Sequence, residues 1–401
     1  MPVLLYLLGV AVFAQGTSEF VLAGLLPAIA SDLDVSLRSA GLLTSAFALG
    51  LVVGAPATAP LARRFSARWS LTGFLALFVI AHVVGAVTAD FGVLLGTRVV
   101  SALAYAGFLA TSLSTVTRIV PAERLARALA VLLGGTTLAL IAGVPLGAVV
   151  GEALGWRATL WAIALLCLPA LISVLIAAPG RIRDDDAAAR IAIGREVRTL
   201  LRRPVQLNIA LAVLINGATF CTFTYLAAIA TGAGRLSDGA VPLLLSVFGV
   251  GAFLGVRLAG RLGDRHWRAL LTIAGPVLVA GWAVFAAVAD LPVMLFACAL
   301  AQGVLSFAVG STVVARIIAT ADGAPTMGGS FATAALNVGA VLGPVTGGIA
   351  LDALGDRGPM LASAILATVA VCLWFITPRR ASLAREGRDT GEALREDRDR
   401  T

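Results

Sequence analysis

Residues 250–271 read VGAFLGVRLAGRLGDRHWRALL, and residues 48–71 read ALGLVVGAPATAPLARRFSARWSL. Each is an apolar run interrupted by a small cluster of arginines, after which the apolar run resumes. Ala59, Leu61, Ala62, Arg63 and Arg64 fall opposite Gly260, Leu262, Gly263, Asp264 and Arg265, at an offset of about 200 residues. Gly143, Pro145 and Gly147 fall opposite Gly343, Pro344 and Gly347 at nearly the same offset. Two independent correspondences at one offset mark a duplicated half, a construction common in membrane proteins.

The composition agrees. Of 401 residues, 59% are hydrophobic and 13% charged, with a mean hydropathy of +0.97. Soluble domains average about 45–50% apolar and about 25% charged, so an ordinary soluble enzyme and a disordered chain are both excluded. A membrane helix takes about 20 residues, so about twelve fit with little left for a soluble domain. The apolar runs place spans near 3–29, 40–60, 69–89, 91–117, 126–150, 157–179, 207–231, 239–259, 269–289, 291–317, 327–351 and 359–377. Helices are read in preference to barrel strands because the runs lack period-two alternation and exceed the roughly ten residues of a barrel strand. The opening MPVLLYLLGVAVFAQ has no basic start and no convincing cleavage site, so it reads as a retained first span. Cys167, Cys221, Cys298 and Cys372 lie singly in apolar runs and read as buried small hydrophobes rather than disulfides or metal ligands.

Net charge is +8, and every cationic residue but the two histidines is arginine. The loops sort this charge. One side carries Arg63, Arg64, Arg68, Arg118, Arg124, Arg127, the 180–206 segment, Arg257, Arg261, Arg265, Arg268, Arg316 and the tail from Arg379. The other carries Asp32, Asp34, Asp90, Glu152, Asp238, Asp290, Asp352 and Asp356 against Arg38, Arg157, Arg235 and Arg357. The positive-inside rule then puts both termini in the cytoplasm of a multi-pass plasma-membrane protein, and the basic balance is topology, not a nucleic-acid footprint. The expected organisation is a first bundle over 1–179, a cytoplasmic linker over 180–206 with a short amphipathic helix near 187–202, a second bundle over 207–377 and a disordered tail over 378–401.

The loop pattern G-x-L-x-D-R, intact at Gly260, Asp264 and Arg265, resembles the loop motif of the major facilitator superfamily. The span holding Arg98 and the span holding Gly143, Pro145 and Gly147 resemble the two motifs of its twelve-span drug/proton antiporter branch. The stretches GTSEFVLAGLLPAIASDLDVS (16–36), RALAVLLGGTT (127–137), GWRATLWA (155–162) and GAPTMGGSFATAALNVGA (323–340) resemble the actinobacterial chloramphenicol resistance exporters. The resemblance implies an all-α integral membrane fold of twelve transmembrane helices in two pseudo-symmetric six-helix bundles around a central cavity. It implies a monomeric proton-coupled antiporter, not an enzyme, exporting chloramphenicol or a related neutral drug. Relatives of that framework export sugars, nucleosides or other metabolites, and this alternative stays open. In the first-half loop Arg63 stands where the motif has an acid and Ser66 where it has a glycine, so the acid-dependent latch is absent there or supplied differently.

Within the spans, Glu19 and Arg98 are the charges that decide the mechanism. Counted inward from the external ends of their spans at 1.5 Å per residue, they lie roughly 16 Å and roughly 12 Å deep. An intramembrane charge faces a cavity or a partner, so the two are expected to pair and to couple proton movement to transport; a purely structural ion pair is the alternative. Gly143, Pro145, Gly147, Gly343, Pro344 and Gly347 point to close helix approach with a bend or hinge, or to packing alone. Asp264 and Arg265 read either as a latch between states or as a loop anchor. Thr17, Tyr105, Asn216, Phe220, Phe223, Gln302 and Asn337 are candidates for binding a neutral amphiphile, with interhelical hydrogen bonding the competing role for each. His82 reads as a packed side chain before a proton relay. No nucleotide loop, metal cluster or catalytic triad is present in the sequence, so no cofactor is expected and the driving force is an ion gradient, here protons.

Overall fold

A computed structural model describes residues 3–177, 202–321 and 328–376. The expected linker helix near 187–202 and the tail over 378–401 lie outside the described residues, apart from residue 202. Every regular element among the described residues is helical: α1 (Val3–Phe20), α2 (Leu22–Asp32), α3 (Leu37–Arg64), α4 (Ala67–Val87), α5 (Phe91–Ile119), α6 (Ala122–Leu138), α7 (Val144–Leu154), α8 (Trp156–Ala177), α9 (Arg203–Phe223), α10 (Leu226–Thr231), α11 (Val241–Ala269), α12 (Gly275–Ala287), α13 (Pro292–Thr320), α14 (Gly328–Leu354) and α15 (Gly358–Ile376). Among them, ten stretches are long and apolar enough to cross a bilayer, or eleven when the bent pair α1–α2 counts as one. Large apolar side chains such as Leu165, Ile172, Val293 and Ile365 face outward, as a lipid-solvated multi-pass protein requires. All four cysteines are free. Cys167 and Cys221 are buried, but Cys298 is half-buried and Cys372 exposed, which corrects the expectation of burial: an apolar run in lipid need not face the protein.

Several expected spans are broken, each for a local reason. The span over 3–29 bends by 53° between α1 and α2, where the Gly24 amide donates to the Val21 carbonyl in a tight turn. Between α6 and α7 the helix widens to a π-turn over Ala139–Gly143, and the Val144 amide reaches back to Ala139. Pro145 follows directly and has no amide to give, so the ladder is already disturbed there. The same device recurs at Leu270–Ala274, just before Pro276. The arginine-rich turn over 260–268, expected as a loop, is helical within α11, with a kink at His266.

Caps set the helix starts. Ser36 accepts from the Ser39 amide at 3.1 Å and Asp90 from the Val93 amide at 2.7 Å, satisfying amides that the first turn leaves open. Ser66, the departure from the loop motif, accepts from the Trp69 amide at 3.5 Å and starts α4.

The packing repeats. In the first half α3 lies on α5, α1 on α6, α4 on α8 and α1 on α8; in the second, α11 lies on α13, α9 on α14, α12 on α15 and α9 on α15. The two halves meet where α3 packs on α14, α7 and its π-turn on α11, and α2 on α10.

Candidate functional site

At the centre of the first half, Arg98 of α5 is buried to 2% exposure. Its Nη1 donates to Ser18 Oγ at 2.8 Å and its Nη2 to the Ser18 carbonyl at 2.6 Å. The guanidinium also lies 4.3 Å from the Phe47 ring centroid, a cation–π contact from α3. Ser18 Oγ meets His82 Nε2 at 2.7 Å, and His82 Nδ1 meets the Phe78 carbonyl at 2.9 Å. A carbonyl only accepts, so Nδ1 carries a proton. Ser18 accepts from Arg98 and can give its own hydroxyl proton to Nε2, which makes His82 neutral in one fixed tautomer. That geometry holds Arg98 against α1 and uses both ring nitrogens of His82 structurally.

Glu19, the next residue, is half-buried and within electrostatic range of Arg98 and Tyr105. The direct Glu19–Arg98 ion pair expected from depth is not formed: among the described residues Glu19 has no salt bridge or hydrogen bond. The reason is angular. Neighbouring residues on a helix point about 100° apart, and it is Ser18 that faces α5.

The candidate ligand residues separate into groups. Phe220 stands 6.0 Å from Phe20 and 6.0 Å from Phe223, and Phe223 continues to Phe248 at 4.9 Å. This aromatic chain runs from α1 through α9 to α11 and so spans both halves. Asn216 donates to the Leu336 carbonyl at 2.6 Å, tying α9 to α14, while Asn337 donates to its own helix at Thr333, 3.0 Å. Tyr105 is buried beside Phe47 at 6.4 Å. Thr17 donates to Phe13 at 2.8 Å and packs on Gly143. Gln302 is turned to α12, donating to Leu278 at 3.3 Å. Thr17 and Gln302 thus sit in helix interfaces. Phe20, Phe47 and Phe248 were not singled out in the sequence, where nothing marks them among 17 phenylalanines.

The glycine–proline stretches are helix crossings. A Cβ at Gly143 would collide with Thr17, and one at Gly147 with Val21. In the second half a Cβ at Gly343 would lie 2.6 Å from the Gly217 carbonyl oxygen, and one at Gly347 2.5 Å from that of Cys221. Pro145 is buried in its crossing; Pro344 sits inside a continuous helix. Gly260 is exposed with open space around it, and the side chains of Asp264 and Arg265 lie outside the described residues.

The contacts between halves cluster toward the acidic end. Tyr225, at the break between α9 and α10, donates to the Pro344 carbonyl at 2.7 Å in a slot formed by Gly41 and Gly348. Ser45 donates to the Val341 carbonyl at 2.8 Å. Arg38 and Asp352 pair at 3.2 Å. Arg157 pairs with Asp32 and Arg357 with Asp290 at 3.5 Å, so three arginines of this end have their charge cancelled locally.

A multi-pass helical fold in two repeating sets of contacts, with a buried guanidinium beside a carboxylate, defines a membrane transport architecture. The chain matches the Major Facilitator Superfamily over residues 8–234 and 229–397, and it belongs to that family of transporters; it is not an enzyme. It is 50% identical over 376 residues to a chloramphenicol resistance protein of Streptomyces lividans, covering 94% of this chain and 96% of the relative. It is 32% identical to the inner membrane transport protein YdhP of Escherichia coli K12, covering 93% and 95%. Among solved structures, a bacterial homologue of the human lysosomal transporter Spinster, inward-facing and occupied, superimposes with a TM-score of 0.76 at 18% identity, covering 93% and 95%.

Proposed function

We propose that this chain is a proton-coupled antiporter that exports chloramphenicol or related neutral drugs by alternating access and so confers resistance. The 50% identity across nearly the full length of both chains to a chloramphenicol resistance protein carries this reading. Glu19 takes the proton, because among the described residues its carboxylate is unpaired and lies beside a fixed cation, and Arg98, held by Ser18, sets its electrostatic surroundings. The drug lies between the halves against Phe20, Phe220 and Phe223, with Tyr105, Asn216 and Asn337 as its polar contacts.

The same proposal has twelve spans in two six-helix bundles, since the last apolar stretch, Gly329–Ile376, holds two helices separated at Gly355–Arg357. The arginine excess supports cytoplasmic termini in the plasma membrane. The acidic end is then external, and its contacts between halves correspond to an inward-facing state. Asp264 and Arg265 latch the opposite state, and the protein works as a monomer.

Expression in a drug-sensitive host tests the function. Cells carrying the chain should accumulate less labelled chloramphenicol than controls, and an uncoupler should erase the difference. Equal accumulation without the uncoupler overturns the drug assignment and turns attention to sugars or nucleosides.

A further inference from the structure

A second apolar feature lies among helices of the second half, away from Glu19 and Arg98. A shallow apolar crevice opens between α9, α12, α13 and α15, lined by Leu211, Leu271, Val313, Val371 and Trp374 among others. The π-turn over Leu270–Ala274 forms part of its wall. On the same elements Ile273, Ile318 and Phe375 are exposed at 66%, 51% and 51%, so the helices that form the crevice also present apolar side chains to lipid.

One end of the crevice is charged. Trp374 donates its indole N–H to Thr272 Oγ1 at 3.3 Å and meets Trp267 edge-on at 5.9 Å. Onto that Trp267 ring come two guanidinium groups, Arg316 of α13 at 4.0 Å and Arg268 of α11 at 5.2 Å. They are close enough to repel each other, and among the described residues neither is paired with a carboxylate. Two like charges held on one indole at the mouth of an apolar slot are stabilised by an anion whose other end is apolar. A guanidinium matches phosphate oxygens in two-point geometry, and a crevice of this lining accepts hydrocarbon.

We propose that this crevice binds an anionic phospholipid, with one acyl chain between α9, α12, α13 and α15 and the phosphate bridging Arg268 and Arg316. A zwitterionic headgroup brings its own cation to the pair and is disfavoured. The site ties α11 to α13 and α15 through a lipid, independently of what the transporter carries.

Tryptophan quenching reads this directly. The full chain is reconstituted in phosphatidylcholine vesicles containing a small, equal fraction of either phosphatidylglycerol or phosphatidylcholine with brominated acyl chains. The brominated anionic lipid should quench more, reflecting enrichment on the order of tenfold at the site. The excess should disappear in the double variant Arg268→Gln/Arg316→Gln, persist in Arg268→Lys/Arg316→Lys, and shrink in Trp374→Phe. Equal quenching by the two lipids in the unaltered chain, or an excess that survives the glutamine variant, overturns the proposal. So does loss of the excess on adding inorganic phosphate, which would mark a site for the free ion alone. A glutamine variant that elutes as aggregate is replaced by the two single substitutions, each expected to lose part of the excess.

Discussion

Arg98 grips Ser18 at two points, the hydroxyl at 2.8 Å and the carbonyl at 2.6 Å, and leaves the adjacent carboxylate of Glu19 without a direct partner among the described residues. A buried cation fixed to a neutral helix segment is a constant field, whereas a free carboxylate can gain and lose a proton. Glu19→Gln should therefore abolish uncoupler-sensitive drug exclusion while leaving the thermal unfolding midpoint unchanged or higher, because no ion pair is broken. Retained coupled export in this variant removes Glu19 from the mechanism.

Ser18 is the shared partner of Arg98 and His82. Ser18→Ala leaves a guanidinium N–H and an imidazole nitrogen unsatisfied in the interior, at a cost of about 1–3 kcal/mol. Thermal unfolding in detergent should show a lower midpoint than the unaltered chain and a larger loss than Thr17→Val, since Thr17 bonds only its own helix at Phe13. Equal midpoints for the two variants would contradict the network.

Closure at the acidic end rests on Tyr225 more than on the ion pair. Its hydroxyl is buried in a glycine slot, so Tyr225→Phe should cost about 1 kcal/mol. Arg38 and Asp352 are each 49% exposed, and exposed pairs contribute about 0–1 kcal/mol. The thermal unfolding midpoint should fall more for Tyr225→Phe than for Arg38→Ala. The reverse order would make the ion pair the principal fastening.

Glycine substitutions should divide by crossing. Gly143→Val and Gly343→Val force side chains into Thr17 and into the backbone of α9, with overpacking costs of about 1–3 kcal/mol each. Gly260→Ala meets nothing within 4 Å and should be neutral or stabilising by up to about 1 kcal/mol. Unfolding midpoints of the three variants check this.

How far these relationships could be read beforehand depends on what fixed them. Composition and apolar run length gave the helical membrane class, because lipid imposes length and apolarity on any span. Glu19 and Arg98 stood out because charge at depth is rare. Their partners did not, because which of Ser18 or Glu19 faces α5 depends on the rotation of α1 about its axis, set by packing on α6 and α8. Thr17 and Gln302 were legible as polar but not as turned into interfaces: a threonine can satisfy itself on the preceding turn, and sequence does not distinguish that from a residue lining a cavity. The bends at Val21 and at the two π-turns depended on which carbonyls found new donors, which proline alone does not specify.

The π-turn at Ala139–Gly143 is, in effect, one residue stored in the helix. A single-residue deletion within it would let the ladder close as an ordinary α-helix and leave α6 and α7 in their present phase. The same deletion one turn later would swing the rest of α7 by about 100°, carrying Gly147 off Val21 and moving the exposed Glu152 to a different line. The chain thus has a place in its fifth apolar run where its length can change without its faces turning, and the matching widening before Pro276 supplies another in the second half.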